Sequence, residues 1–266
     1  MALSADQRLR CLERLGLRQW VPRRPLALAA CVTDSPSAES TPLPVIAPPV
    51  VEPPVIEPPV IDPPVADTPV VEAPPPESPT LRWERLRTQV AECTACALSE
   101  GRTQTVFGVG DPNGPWLFIG EGPGAEEDRR GEPFVGPAGQ LLDAMLSALG
   151  LHRGEGVYIA NVVKCRPPGN RDPRPEERAA CRRWLEAQIA LIQPRIVVAL
   201  GKVAAQSLLG SDETMARLRG REHRLSGHEI PLVATYHPAY LLRSPAEKGK
   251  AWQDLLLARR LLTARR

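Results

Sequence analysis

Proline is concentrated in one segment of this 266-residue chain, and that segment limits what the chain can fold into. Of the 31 Pro residues, 16 lie between Pro36 and Pro79. Because proline fixes φ and lacks a backbone N–H group, this density excludes helix and central strand. Residues 80–266 are sufficient for one domain of ordinary size, at about 100–200 residues per domain. We therefore divide the chain into an N-terminal arm (1–35), a disordered Pro-rich linker (36–79) and one folded domain (80–266).

The linker repeats a five-residue unit, and the arm contains one amphipathic segment. From Pro48 the units read PPVVE, PPVIE, PPVID, PPVAD and TPVVE. Polyproline II rises about 3.1 Å per residue, so these units predict a semi-rigid spacer of roughly 80 Å. In residues 4–19, Leu9, Leu12 and Leu15 would share one face of a helix. This segment is either a frayed helix or a docking helix for a protein partner.

The arm and linker differ from the domain in the sign of their net charge. Residues 1–80 carry 6 Arg and 10 Asp or Glu, a net charge of −4, whereas residues 81–266 carry 27 Lys or Arg and 21 Asp or Glu, a net charge of +6. A mildly basic domain permits a polyanionic partner. No run approaches the ~18–20 apolar residues of a membrane span. The apolar stretch after Arg24 is shorter than the ~7–15 residues of a signal peptide. We therefore expect a cytoplasmic monomer without membrane association.

Short apolar runs alternate with helical patterns from Thr80 onward, where the first helix is expected to begin. This alternation predicts an α/β fold of three layers, with a central, mostly parallel four-stranded sheet covered by helices on both faces. Ligands of such sheets bind beyond the carboxyl ends of the strands. The predicted strands are Pro115–Gly120, Val157–Val163, Ile196–Leu200 and Ile230–Thr235, and the predicted helices are Ala138–Leu149, Pro175–Ile192, Val203–Leu209 and Ala246–Leu262.

The first predicted strand runs into the glycine-rich sequence GEGPGAEED. Gly120 and Gly122 allow a ligand to approach the backbone, and Glu121 places a carboxylate at the strand end. The sequence is neither a P-loop nor GxGxxG, because the Gly-Lys-Ser/Thr ending and the glycine spacing are missing.

Three further residues could recognise a planar ring. Phe134, in the sequence PFVGPAG, is either a core residue or a stacking platform. Asn161 interrupts an apolar strand; it either caps a turn or pairs with the edge of a nucleobase, since an unpaired buried amide costs about 1–3 kcal/mol. His237, which precedes Pro238 at the last strand end, is either structural or catalytic.

Four cysteines of the domain have the spacing of a metal or cluster site. Cys93 and Cys96 form a C-x2-C pair, and Cys165 and Cys181 form a C-x15-C pair. In a cytosolic protein such a set favours a bound metal over disulfides. Four thiolates suit either zinc or a [4Fe–4S] cluster. A zinc ribbon normally has two C-x2-C pairs, so the second spacing favours the cluster.

Taken together, these segments resemble the family 4 uracil-DNA glycosylases, the iron–sulfur-containing type. The resemblance covers residues 81 to about 245 in the family's order. It implies a uracil-DNA glycosylase-like α/β fold and hydrolysis of the N-glycosidic bond of uracil in DNA. The matching segments are the C-x2-C pair, GEGPGAEED, PFVGPAGQLLD, YIANVVKCRPPGNRDP, Cys181 and YHPAYLLR.

The resemblance also implies roles for individual residues. Phe134 would stack on the flipped uracil, and Asn161 would read its polar edge. His237 would stabilise negative charge on the departing base, and Glu121 would position or polarise water. The backbone from Gly120 to Gly122 would line the pocket. A structural [4Fe–4S] cluster would be held by Cys93, Cys96, Cys165 and Cys181, and the DNA would be contacted by Leu241, Leu242 and Arg243.

Two positions depart from related motifs. Classical uracil glycosylases have Gln-Asp in the first motif, whereas this chain has Glu121-Gly122 and so lacks the water-activating Asp. Ser244 replaces the Asn of the family's LLRNP sequence. Residues 166–175 lack the nucleophilic His of a branch that attaches covalently to uracil. We therefore predict a monofunctional DNA repair glycosylase acting on uracil-containing DNA. The alternatives are a non-catalytic DNA-binding module of the same fold and a zinc-stabilised nucleotide hydrolase.

Overall fold

The computed structural model describes residues 78–264. The predicted N-terminal arm, with its amphipathic segment, and the pentad-repeat spacer lie outside the described residues. Helix α1 spans Pro79–Ala91, and its N-cap is Ser78, two residues before the predicted Thr80. The Ser78 Oγ atom accepts a hydrogen bond from the Leu81 N–H group at 3.3 Å. Proline at the first helical position costs nothing, since its missing N–H group would have no partner there.

The described part of the chain forms one six-stranded sheet. Its order is β1-β3-β2-β4-β6-β5, in which the four central strands are parallel and the two edge strands are antiparallel. The strands are β1 (Val109–Gly110), β2 (Trp116–Gly120), β3 (Val157–Asn161), β4 (Ile196–Leu200), β5 (Glu222–Arg224) and β6 (Pro231–Thr235). The four-stranded prediction matches the central strands. It omitted β1 and β5, which have only two and three residues and carry no buried apolar run.

Helices connect the strands and cover the sheet. After α1 they are α2 (Leu98–Gly101), α3 (Ala125–Arg130), α4 (Pro137–Leu149), α5 (Pro175–Ile192), α6 (Lys202–Leu209), α7 (Met215–Leu218), α8 (Pro238–Arg243) and α9 (Lys248–Ala264). Among residues 78–264, no helix has the length and apolar character needed to cross a bilayer.

Both faces of the central sheet are buried, as the continuous apolar strands predict. Every residue of β2, β3, β4 and β6 is buried. Alternate residues point to opposite faces. On one face Leu117 and Ile119 pack with α5 and α6, and on the other Trp116 and Phe118 pack with α4 and α9. The predicted three-layer α/β class is therefore confirmed.

The parallel register brings the predicted site residues to one edge of the sheet. Gly120, the last residue of β2, pairs with Asn161, the last residue of β3. Thr235, the last residue of β6, pairs with Leu200 of β4. The loops that carry Glu121 and His237 therefore leave the sheet at the same end as Asn161.

Candidate active site

Asn161 has a buried polar atom without a partner. The residue is 1% exposed, and its Oδ1 atom makes no hydrogen bond in the structure. A Cβ atom at Gly120 would lie 2.5 Å from this Oδ1 and 2.5 Å from Cζ of Phe134. The glycine therefore lets the amide and the aromatic ring approach each other. Because a buried acceptor without a partner costs about 1–3 kcal/mol, the arrangement is typical of a site that receives a donor from a ligand.

The backbone at Phe134 is held in an unusual conformation by two charged side chains. Phe134 has φ of 56°, in the left-handed region that non-glycine residues rarely adopt. The Glu127 carboxylate accepts hydrogen bonds from the N–H groups of Val135 at 3.0 Å and Gly124 at 3.1 Å. The Arg153 guanidinium donates to the Phe134 carbonyl at 2.8 Å. Together they fix the orientation of the Phe134 ring against the strand ends.

His237 lies against Phe134 and is held as a neutral ring. The two ring centroids are 5.5 Å apart with an angle of 29° between the planes. The Nδ1 atom of His237 accepts a hydrogen bond from the Ala239 N–H group at 3.1 Å. Burial, assisted by the positive charge of Arg243, lowers the pKa of His237 to about 4. The neutral ring therefore carries its proton on Nε2, where it can donate to a ligand.

Glu121 shares its surroundings with a second carboxyl group. Burial raises the pKa of Glu121 to about 7, and the charge of Asp172 and a hydrogen bond with its side chain act in the same direction. Arg178 opposes this shift through its positive charge. A carboxyl group beside a second one ionises less easily, so Glu121 holds its proton near neutral pH.

One cavity of about 440 Å³ joins these residues. This volume is within the range of about 300–1,000 Å³ for small-molecule sites. Six of the sequence-predicted residues line this cavity: Glu121, Gly122, Phe134, Asn161, His237 and Arg243. Gly120 lies behind Asn161 and Phe134.

One predicted DNA contact is corrected by the structure. Leu241 is 1% exposed and packs in the core with Leu141 and Met145. It is therefore not available to a DNA duplex. All three residues from 241 to 243 were assigned to DNA contact, but α8 turns Leu241 inward and leaves Leu242, 44% exposed, facing outward. Arg243 is also exposed.

The four cysteines converge on a second, small cavity. Cys93 and Cys96 lie between α1 and α2, Cys165 follows β3, and Cys181 belongs to α5; all four line the same cavity. None of them is in a disulfide. Within residues 78–264, no group of three or more Cys, His, Asp or Glu side chains has the arrangement of a metal-ion site.

Several N–H donors point at the cysteine sulfurs. The backbone N–H of Lys164 donates to Cys181 Sγ at 3.3 Å. Arg102 donates to Cys165 Sγ, and the indole of Trp184 donates to Cys93 Sγ, both at 3.2 Å. Such donors favour the thiolate form, which is the form that binds metal, and they oppose burial, which raises the pKa of Cys165 and Cys181. The donor set therefore suits a thiolate-bound metal group.

A buried lysine joins the cysteine loop to the first cavity. Lys164 is 1% exposed, and its Nζ atom donates to the Asn161 carbonyl at 2.9 Å. The next residue is Cys165. Residues 164 and 165 therefore take part in two of the sulfur contacts, and Lys164 also holds the backbone at Asn161.

Four residues of this arrangement were not identified from the sequence: Glu127, Arg153, Lys164 and Asp172. Glu127 had a detectable signal, because it stands three residues after Gly124, the N-cap of α3, in capping-box spacing. The others act through contacts between segments distant in the chain, and no local pattern marks them.

Comparisons with known proteins place this chain among the uracil-DNA glycosylases. A family model described as the uracil DNA glycosylase superfamily matches residues 107–256. The type-4 uracil-DNA glycosylase of Thermotoga maritima is 47% identical over 163 residues, which are 60% of this chain and 83% of the relative. The type-4 enzyme of Pyrobaculum aerophilum is 42% identical over 180 residues, 65% of this chain and 91% of the relative. A type-5 uracil-DNA glycosylase of Thermus thermophilus is 35% identical, with 57% of this chain and 75% of the relative covered.

Proposed function

The chain belongs to the type-4 family of the uracil-DNA glycosylase superfamily, and we propose that it hydrolyses the N-glycosidic bond of uracil in the cavity formed by Phe134, Asn161 and His237. The observation that carries this proposal is the unpaired Oδ1 atom of Asn161 between Gly120 and Phe134. It is a hydrogen-bond acceptor that is already desolvated and lies beside an aromatic ring.

The Asn161 amide is complementary to the polar edge of uracil. Oδ1 can accept the N3–H group of the base, and the amide nitrogen can donate to the neighbouring carbonyl oxygen. Cytosine has a lone pair at N3 and an amino group beside it, so both contacts would become repulsive. A site that leaves polar groups unpaired with the wrong ligand discriminates strongly against that ligand.

The base must leave the DNA stack before its sugar bond can be reached, at a cost of a few kcal/mol. Stacking on Phe134 recovers part of this cost. We assign Arg243 to a backbone phosphate and Leu242 to the space vacated in the duplex, since both are exposed at the end of α8. The charge and exposure of these side chains support the assignment.

His237 acts when the bond breaks. As the C1′–N1 bond lengthens, its electron pair moves onto the uracil ring and negative charge develops on the ring oxygens. The neutral imidazole donates from Nε2, because Nδ1 is already an acceptor for Ala239. One such donor lowers the barrier by about 2.7–4 kcal/mol. Water supplies the hydroxyl group at C1′, and we assign its positioning to Glu121.

We further propose that Cys93, Cys96, Cys165 and Cys181 hold a [4Fe–4S] cluster. Four cysteines that form no disulfide line one cavity, and N–H groups donate to three of their sulfurs. This environment fits such a group. When bound, the cluster supplies iron–thiolate cross-links rather than chemistry at the base. Through the four cysteines, these cross-links would connect the segment after α1 to α5 and to the loop after β3. Purified protein should contain iron and sulfide in equal amounts, and Cys165→Ser should lose both.

Release of uracil from a labelled single-uracil oligonucleotide tests the base-reading proposal. Asn161→Ala should slow single-turnover release about 5- to 150-fold, which corresponds to about 1–3 kcal/mol. Asn113→Ala is the matched control, because Asn113 is exposed and its side chain is outside the cavity. Equal rates for Asn161→Ala and Asn113→Ala would remove Asn161 from the mechanism.

We also propose that the chain acts as a monomer and that residues 4–19 dock a protein partner. The proposal is supported by the leucine spacing of that segment and by its separation from the domain through the Pro-rich linker. A chain starting at Glu77, which keeps the Ser78 cap of α1, should release uracil from free oligonucleotide at the rate of the full chain, and light scattering should give the monomer mass for both. A tenfold slower truncated chain would contradict the separate role of the arm.

A further inference from the structure

We propose that Asp172 is a positioning residue for Glu121, and that the two carboxyl groups act as a pair that binds the hydrolytic water and accepts its proton. This inference rests on the proposed function, because it places the water in the same cavity. It adds a residue from a different loop to the hydrolytic machinery.

The two carboxyl groups reach the cavity from separate segments. Glu121 immediately follows β2, and Asp172 lies in the loop between β3 and α5. Both line the cavity that contains Asn161 and His237. After burial, the nearby Asp172 side chain raises the pKa of Glu121 further through its charge and a hydrogen bond. Because a carboxyl group beside a second one ionises less easily, Glu121 retains a proton near neutral pH beside the base-binding residues.

The loop that carries Asp172 is fixed to a rigid helix. Arg171 donates two hydrogen bonds to the Glu177 carboxylate, at 2.8 and 2.6 Å, and a third to the Asp172 carbonyl at 2.9 Å. Glu177 also accepts from the Arg174 N–H group at 2.8 Å at the start of α5. The pairing with Arg171 lowers the pKa of Glu177 to about 2, so the clamp is ionised at neutral pH.

Most charged side chains near Glu121 interact with other groups, which leaves Asp172 as the anion beside it. Arg178 is the cation that faces it, and its Nη1 atom donates to Ser207 at 3.2 Å. Among the other charged cavity residues, Arg171 is paired with Glu177, Glu127 accepts backbone N–H groups, and Arg243 acts on His237. Asp172 is thus the anion that faces Glu121. Burial, and after it the charge of Asp172, raises the pKa of Glu121 to about 7.

The pair can take the proton that hydrolysis releases. The water oxygen bonds to C1′ while the C1′–N1 bond breaks, and the electron pair of that bond leaves with uracil. The proton of the water passes to the ionised Glu121 carboxylate, which Asp172 positions, and the uracil anion later takes a proton from solvent. A base is most effective when its pKa is near the working pH. The rate should therefore rise as pH increases through about 7, where Glu121 ionises.

The test is the pH dependence of single-turnover uracil release by the full chain, from pH 5.5 to 9. Asp172→Asn removes the neighbouring negative charge, so Glu121 should ionise more easily and the midpoint should move to lower pH, while burial still holds it above the ordinary value of a Glu carboxyl. Glu121→Gln should abolish the pH-dependent step. The control is Asp212→Asn, which changes an exposed carboxylate outside the cavity and should keep the wild-type midpoint.

The outcomes separate this inference from the proposed function. If Asp172→Asn keeps the wild-type midpoint of the pH–rate profile, the pairing of Asp172 with Glu121 is wrong. Slow uracil release by Asn161→Ala would in that case still support base reading. Full activity of Asn161→Ala would instead contradict the base-reading site, whatever the midpoint. Because Asp172 is exposed, its replacement should leave the thermal unfolding midpoint unchanged. Asp172→Ser provides a second neutral variant, and a midpoint unlike that of Asp172→Asn would count against a charge effect.

Discussion

The Nδ1 atom of His237 accepts a hydrogen bond from the backbone N–H group of Ala239, two residues later, at 3.1 Å. This contact forms at the start of α8, where His237 is the N-cap residue. The same bond that caps the helix therefore selects the tautomer with the proton on Nε2. Helix initiation and hydrogen-bond donation to a ligand are thus two uses of one ring.

We predict that His237 stays neutral over the whole working pH range. Its pKa is lowered to about 4 by burial, so the ring is uncharged at every pH well above 4. Nitrogen NMR shifts of His237 should stay constant from pH 5.5 to 8, with the proton on Nε2. His237→Ala should slow release about 10²–10³-fold, whereas His152→Ala, at an exposed position, should not. An imidazolium signal at pH 6.5 would contradict the assignment.

Gly120→Ala should block the base pocket without unfolding the chain. The added Cβ would lie 2.5 Å from Asn161 Oδ1 and from Phe134 Cζ, closer than real Cβ contacts allow. Overpacking of this kind costs about 1–3 kcal/mol, so kcat/KM should fall about 5- to 150-fold. Gly101→Ala is the matched control, since no atom lies within 4 Å of its Cβ position. Wild-type kinetics in Gly120→Ala would mean that uracil binds elsewhere.

Glu127→Gln should loosen the loop that carries Phe134. The Glu127 carboxylate accepts N–H groups from Gly124 and Val135, and hydrogen bonds to charged groups contribute about 1.5–3 kcal/mol each. The amide can replace only part of these contacts. We expect a lower thermal unfolding midpoint and about tenfold lower kcat/KM. The control is Glu126→Gln, which removes an exposed ion pair with Arg129 and should change neither quantity.

Leu241 and Leu242 should respond oppositely to truncation. Leu241→Ala removes a core side chain and should cost about 2–5 kcal/mol of unfolding free energy, measured by denaturant titration. Leu242→Ala should leave that free energy within about 0.5 kcal/mol and weaken only the binding of duplex DNA. Weaker DNA binding in Leu241→Ala, with unchanged stability, would contradict the observed orientation of α8.

The sequence predicted the central sheet well because fully buried parallel strands have a simple signature. The predicted ends of the Ile196–Leu200 strand and of the Pro175–Ile192 helix coincide with β4 and α5. The position of Asn161 beside Gly120 then follows from parallel pairing, in which the carboxyl ends of strands lie together. The resemblance to a known family supplied the expected roles, which periodicity alone could not.

Contacts between distant segments were not predictable in this way. Asp172 lies in a loop 51 positions after Glu121, and their proximity depends on how Arg171 anchors that loop to Glu177. Leu241 was assigned to DNA because consecutive residues were treated alike. In a helix their side chains point about 100° apart, which corresponds to 3.6 residues per turn, so one residue can be core while the next is exposed.

Lys164 connects the cavity that contains Asn161 to the cavity lined by the four cysteines. Its ammonium group holds the Asn161 carbonyl, its own N–H group is bound to the sulfur of Cys181, and its neighbour is Cys165. Oxidation that pulls this short segment away from α5 would therefore also shift the amide that faces the base. The position of the Asn161 amide therefore depends in part on cysteines that lie outside the cavity it faces.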